Sequence, residues 1–156
     1  MATGAKAAQD YALKLLGHRA RSEAEIRRRL EAKGFAAEEI DAAIARLKDL
    51  RFLDDPAFAV AKAGTLLKDE RKGPRLAVAR LEAVGIDERQ AETAVEAARE
   101  GATERELVLR ALEKRRPRVD AASPRPERIK AARWLAGRGF CEEAVRAALD
   151  LEGDSE

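Results

Sequence analysis

The feature that most constrains this chain is a thrice-repeated pattern centred on glycine. Gly34, Gly85 and Gly139 each lie four residues after a leucine and directly before an apolar residue. Further apolar residues follow each glycine at the sixth, ninth and tenth positions. The copies are 51 and 54 residues apart, which is typical of an array of small repeated units rather than one large domain.

Each copy of the pattern predicts two helices joined by a tight turn. Glycine ends a helix readily because it adopts the left-handed backbone conformation at little cost, and the apolar residue after it can fold back onto the helix. The helix after the turn has apolar residues on one face, most clearly Ile40, Ile44 and Leu47. The repeat therefore contains a helix, a glycine turn and a second helix.

A third helix precedes each pair, and capping residues mark where helices begin. The first helix is expected from about Ala8 to His18, and Ser22 with Glu25 forms a capping box for the next one. Other helix starts, each with a polar cap or a proline in the first turn, are expected at Asp54–Pro56, Gly73–Pro74, Asp87–Gln90 and Thr103–Glu106.

These signals predict an all-α fold, an elongated tandem array of three three-helix units that resemble helix-turn-helix motifs. We call the units modules and place them at residues 1–53, 54–101 and 102–156, with a proline-rich loop at 117–126. Aromatic residues make up only 4% of the chain, so each module has a small core and must pack against its neighbour. The expected aromatic core residues are Phe35, Phe52, Phe58, Phe140 and Trp134, the last with stacking on a nucleic-acid base as the alternative.

Little in the sequence suggests catalysis or a bound cofactor. The single cysteine, Cys141, excludes an internal disulfide and has no second histidine to activate it, and the single histidine, His18, lies at the expected end of the first helix, where a cation suits the helix dipole. Cys141 and the pair Asp54 and Asp55 all lie at predicted helix starts, where capping is the simpler interpretation. We therefore predict no enzyme activity, no metal and no cofactor. Since no apolar stretch reaches about 18 residues, we also expect a cytoplasmic protein without a membrane segment.

Short motifs extend over nearly the whole chain in a recognisable order. They are the segments 11–16 and 21–30, Lys33-Gly34-Phe35, Phe52-Leu53-Asp54-Asp55, Phe58-Ala59, Lys72-Gly73-Pro74, Gly85-Ile86-Asp87, Trp134-Leu135 and Arg138-Gly139-Phe140. Together they resemble the RecX regulatory family, the bacterial modulators of the recombinase RecA. Pro56 and Val84 depart from the family pattern, which usually has a basic residue near these positions.

The resemblance implies a fold of tandem three-helix repeats that do not read DNA sequence. It also implies binding in the groove of the RecA filament on single-stranded DNA, with dampening of ATP hydrolysis, strand exchange and filament growth. The RecA filament and single-stranded DNA are the implied partners. We expect the chain to act as a monomer.

The charged residues are sorted along the repeat, although the formal net charge is only +2. The third helices of the modules are net acidic. The first two helices are basic, with seven, six and nine basic residues against three, two and two acidic ones over residues 14–33, 62–80 and 114–138. Two interpretations remain open, a solvated surface or a basic ridge that follows a phosphate backbone.

The ridge hypothesis selects eleven candidate residues for contact with RecA or DNA. They are Arg27, Arg28, Lys33, Lys72, Arg75, Arg80, Arg115, Arg116, Arg128, Lys130 and Arg133. A helix-turn-helix DNA-binding protein is an alternative, but its last helix enters the major groove and should not begin with acidic residues. A helical protein-interaction scaffold is the other alternative.

Overall fold

The computed structural model describes residues 2–153, and this stretch contains nine α-helices and no β-strand. A π-helical segment, Thr65–Asp69, continues the fourth helix. The all-α prediction is confirmed. The helices are α1 (Ala2–His18), α2 (Glu23–Lys33), α3 (Ala37–Asp49), α4 (Asp55–Gly64), α5 (Pro74–Ala83), α6 (Glu88–Ala98), α7 (Glu104–Lys114), α8 (Arg125–Gly137) and α9 (Glu142–Ala148).

The predicted caps form where the sequence places them. Ser22 and Glu25 make both hydrogen bonds of the capping box at the start of α2. The side chains of Asp54, Asp87 and Thr103 each accept a hydrogen bond from a backbone N–H in the first turn of the helix that follows. Helix α1 begins six residues earlier than expected, in a segment rich in alanine, the strongest helix former.

The helices pack in consecutive triplets, α1–α3, α4–α6 and α7–α9, which form modules 1, 2 and 3. Two helices in extensive contact always belong to the same triplet. In each module the first and third helices pack against each other. Module 1 has its own core, which includes Ile26, Leu30 and Ile44. The cores of modules 2 and 3 form one continuous cluster, so these two modules make a single packed unit.

Neighbouring modules meet where the second helix of one module begins and the next module makes its glycine turn. Between modules 1 and 2, the Ser22 hydroxyl donates a hydrogen bond to the carbonyl oxygen of Val84. Between modules 2 and 3, the N–H of Gly73 donates to the carbonyl of Arg138 at 2.7 Å. In both cases the N-cap residue donates to the carbonyl directly before the turn glycine. We call this repeated arrangement the docking contact.

The turn glycines have two separate roles. Gly34, Gly85 and Gly139 all have left-handed φ angles, of +97°, +89° and +92°. A Cβ at Gly85 would collide with Ala24, and a Cβ at Gly139 would collide with Leu76, whereas a Cβ at Gly34 would meet no atom of the described residues within 4 Å. The second and third glycines therefore permit the docking contact as well as the turn.

The array is extended rather than spherical. Its accessible surface is 9544 Å². A compact monomer of this mass, 17.1 kDa, is expected to expose about 7,800 Å². The excess surface follows from packing that is strong within modules and limited between module 1 and the rest.

Two expectations need correction. Phe52 is 54% exposed and is not a core residue; it follows a left-handed residue, Arg51, and the next residue, Leu53, is the one buried in the module 1 core. The proline-rich loop is also shorter than predicted, since α8 begins at Arg125. Val119 lies within this loop and is buried in the core shared by modules 2 and 3.

The double role of Gly139 leads to a prediction about stability. In both Gly139→Ala and Gly34→Ala the new Cβ stands on a left-handed backbone, which costs roughly 1–2 kcal/mol. Only Gly139→Ala also forces this Cβ against Leu76, and overpacking of this kind typically costs about 1–3 kcal/mol. We expect urea denaturation to show a larger loss of unfolding free energy for Gly139→Ala. Equal losses would contradict the docking contact.

Candidate functional site

The structure preserves the charge polarity expected from the sequence. The third helix of each module has acidic residues in its first turn, namely Glu38 and Glu39 in α3, Glu88 in α6, and Glu142 and Glu143 in α9. Carboxylates stabilise a helix N-terminus through the helix dipole, which accounts for their position. The basic side chains of the first and second helices need a different explanation.

Four arginines surround a shallow depression on module 1, at the junction of α1 and α2. They are Arg19, Arg21, Arg28 and Arg29, with Glu25 as the acidic residue among them. Glu25 pairs with Arg19 at 2.6 Å. Burial lowers the pKa of the Arg21 guanidinium, and the positive charges of Arg19 and Arg29 lower it further. An anion bound here would relieve this repulsion.

A groove of about 480 Å³ lies where α8 and α9 of module 3 meet the start of α5 in module 2. Its apolar lining includes Ile129, Val145 and Leu151. Its charged lining consists of four arginines and one glutamate, Arg75, Arg125, Arg133, Arg146 and Glu142. The docking contact thus brings Arg75 and Arg133, two candidates from different modules, to one surface.

Two arginines lie over the indole of Trp134. The guanidinium carbons of Arg115 and Arg138 lie 5.7 Å and 4.7 Å from the centre of a Trp134 ring, within the range of cation–π attraction. The half-buried indole also packs against the core of modules 2 and 3, as expected. Both arginines already contact the ring, so a nucleic-acid base that stacked there would compete with them.

The side chains of two candidates, Arg27 and Arg128, donate hydrogen bonds that connect different parts of the fold. Arg27 donates to Glu23 at 3.3 Å and to Asp41 at 2.7 Å, which links α2 to α3. Arg128 donates to the carbonyls of Leu149, at 2.9 Å, and of Asp150, at 2.6 Å. These bonds satisfy carbonyl groups at the end of α9, so both arginines have a structural role.

The remaining candidates differ in exposure. Lys72 is half-buried near the start of α5. The ammonium group of Lys33 lies 5.3 Å from the centre of the Tyr11 ring. Seven of the eleven candidates are exposed, and they are spread over all three modules, namely Arg28, Lys33, Arg75, Arg80, Arg116, Lys130 and Arg133.

Sequence reasoning missed some basic residues that the structure places centrally. Arg138 stacks on Trp134 and donates hydrogen bonds from module 3 to the carbonyls of Glu70 and Arg71 in module 2. Arg21 is half-buried in the module 1 depression, beside Arg19, Glu25 and Arg29. The sequence feature that could have identified Arg138 is its position directly before the turn glycine. The carbonyl at this position accepts the hydrogen bond of the docking contact.

Cys141, the single cysteine, lies at a helix start, as the sequence predicts. Cys141 is the N-cap residue of α9, and its backbone N–H donates to the Glu104 carboxylate at 2.6 Å. Burial raises the pKa of the Cys141 thiol, and Glu104 contributes in the same direction. Within residues 2–153, no group of three or more His, Cys, Asp or Glu side chains is arranged to hold a metal ion. No helix in this part of the chain is long and apolar enough to cross a membrane.

Comparison with known proteins decides the family. Residues 8–47 match the model of the first three-helix domain of RecX. The regulatory protein RecX of Chlorobaculum tepidum is 35% identical to this chain over 144 residues, which cover 92% of this chain and 87% of that protein. The chain belongs to the RecX family.

Other RecX proteins support the assignment and the fold. The regulatory protein RecX of Geobacillus thermodenitrificans is 34% identical over 159 residues, which cover 99% of this chain but only 58% of that longer protein. The crystal structure of RecX from Lactobacillus salivarius matches with a TM-score of 0.82 and 25% identity, covering 97% of this chain and 99% of that one. The RecX resemblance read from the motifs is therefore confirmed.

The different roles of Arg128 and Lys130 can be separated by stability measurements. Arg128→Ala leaves the carbonyls of Leu149 and Asp150 without their charged donor, and bonds of this kind contribute about 1.5–3 kcal/mol. Lys130→Ala changes an exposed side chain and should alter the unfolding free energy by less than about 0.5 kcal/mol. Urea denaturation of both variants tests this. Similar losses would show that Arg128 does not stabilise α9.

Proposed function

We propose that this RecX-family regulator binds the RecA filament on single-stranded DNA along its groove and slows ATP hydrolysis, strand exchange and filament growth. The observation that carries the proposal is the repeated polarity of the modules. In each module the stretch from the end of the first helix through most of the second is net basic, over residues 14–33, 62–80 and 114–138, and the third helix begins with acidic residues. An extended basic surface suits a long polyanionic partner.

The extended shape supports a multivalent mode of binding. Three modules in one chain present the module 1 arginines and the groove between modules 2 and 3 at different points along the array. Once one module is bound, the next binds at a high effective concentration because it is tethered. A chain that contacts several successive RecA subunits would restrain the motions that accompany ATP turnover.

The basic side chains act by contact and not by catalysis in this proposal. Phosphate contacts from arginine and lysine position a protein without reading sequence. A sequence-reading helix-turn-helix protein is less well supported, because α3, α6 and α9 begin with carboxylates that would repel the DNA backbone.

The proposal predicts inhibition of the DNA-dependent ATPase activity of RecA. Purified protein, added below the molar concentration of RecA at low salt, should reduce the rate of ATP hydrolysis because one chain restrains more than one subunit. The inhibition should weaken as salt increases, since the contacts are largely ionic. Unchanged ATP hydrolysis in the presence of folded protein would contradict the proposed function.

A matched pair of double variants tests which face of the array binds. Arg28→Glu with Arg80→Glu reverses two exposed charges on α2 and α5 and should weaken filament binding at least tenfold. Arg46→Glu with Arg89→Glu makes the same change in net charge on α3 and α6 of the same modules and should bind nearly as the parent does. Fluorescence anisotropy with filaments on labelled single-stranded DNA measures both. Equal weakening would reject the basic-ridge hypothesis.

A salt titration separates the alternatives. Backbone-directed binding to single-stranded DNA, alone or in the filament, should fall steeply with salt and depend little on sequence. A helix-turn-helix reader would instead protect one sequence on duplex DNA, and a plain protein-interaction scaffold would show little dependence on salt or nucleic acid.

A further inference from the structure

The docking contact recurs with the same parts at two module boundaries. At the first boundary the N-cap residue of α2, Ser22, donates through its hydroxyl to the carbonyl of Val84. At the second boundary the start of α5 donates through two backbone N–H groups. Gly73 donates to the carbonyl of Arg138 at 2.7 Å, and the residue two positions later, Arg75, donates to the carbonyl of Gly139 at 3.1 Å.

The last module lacks these donors at the equivalent helix start. The N-cap residue of α8 is Pro124, and the residue two positions later is Pro126. These are the positions that Gly73 and Arg75 occupy at the start of α5. Proline has no backbone N–H and no side-chain hydroxyl, so neither form of the docking contact can be made from this end.

In module 1 the acceptor side of the docking contact, the glycine turn, is exposed. Lys33 and Gly34 form its glycine turn, and both are exposed. Gly34 has the same left-handed conformation as the two turn glycines that are docked, and no atom of the described residues lies within 4 Å of a Cβ built on it. The Gly34 turn therefore has the backbone conformation of the two docked turns, but no helix start of the described residues lies against it.

We propose that Pro124 and Pro126 prevent the chain from stacking end to end on the exposed Lys33–Gly34 turn of a second copy. A donor at one end and an acceptor at the other form a heterologous contact, which produces open-ended assemblies when it does not close into a ring. The two prolines remove the donors from one end. Several copies therefore bind an extended partner without joining to one another.

Restoring the donors tests this proposal. The double variant Pro124→Gly with Pro126→Arg recreates the N–H groups of Gly73 and Arg75 at the start of α8. In sedimentation velocity, its average mass should rise with protein concentration toward that of a dimer and larger species, while the parent remains monomeric over the same range. In NMR spectra, the amide signals of Lys33 and Gly34 should shift with concentration in the variant only.

A third substitution provides the control. Adding Gly34→Asn keeps a residue that tolerates the left-handed conformation but places a Cβ where the helix start would dock, so association should be lost. Circular dichroism verifies that each variant is folded. A donor-restored variant that stays monomeric overturns the proposal, as does self-association of the parent. Association that persists with Gly34→Asn would overturn it as well, because the contact would then use another surface.

Discussion

The arrangement of the molecule depends on the close approach of a helix start to a glycine turn. Each module is poor in large apolar residues, so its small core is supplemented by contact with its neighbour. That contact is made by backbone atoms and short side chains, which permits little variation in distance. Gly73 and Gly139 approach so closely that a Cβ on either would collide with the other segment. The distance and orientation between the basic surfaces of modules 2 and 3 follow from this approach.

The acidic and the basic residues of the modules have their positions for different physical reasons. The acidic residues at the starts of α3, α6 and α9 stabilise these helices locally. Some of the basic residues also serve the fold, since Arg27 and Arg128 make internal hydrogen bonds. The exposed candidates Arg28, Arg75 and Arg133 lie at the module 1 depression and at the groove between modules 2 and 3, whereas Lys33, Arg80, Arg116 and Lys130 lie outside both.

Local features of the fold could be predicted from the sequence because they depend on neighbouring residues. The glycine turns and the caps at Ser22 and Asp87 are examples, since a few adjacent side chains determine them. The docking contact could not be predicted, because Ser22 and Val84 are 62 residues apart and no pattern links them. The exposure of Phe52 depends on a left-handed residue at Arg51, which is uncommon without glycine. The roles of Arg27 and Arg128 could not be predicted either, because their hydrogen-bond partners Asp41, Leu149 and Asp150 lie on other parts of the fold.

We propose that the basic second helices of the array, α2, α5 and α8, face the recombinase filament. Electron cryo-microscopy of RecA filaments on single-stranded DNA with this chain bound tests it most directly. We predict density for α2, α5 and α8 against the filament, with one chain in contact with more than one RecA subunit and with α3, α6 and α9 facing outward. A reconstruction in which the third helices face the filament, or in which each chain contacts a single subunit, would contradict this account.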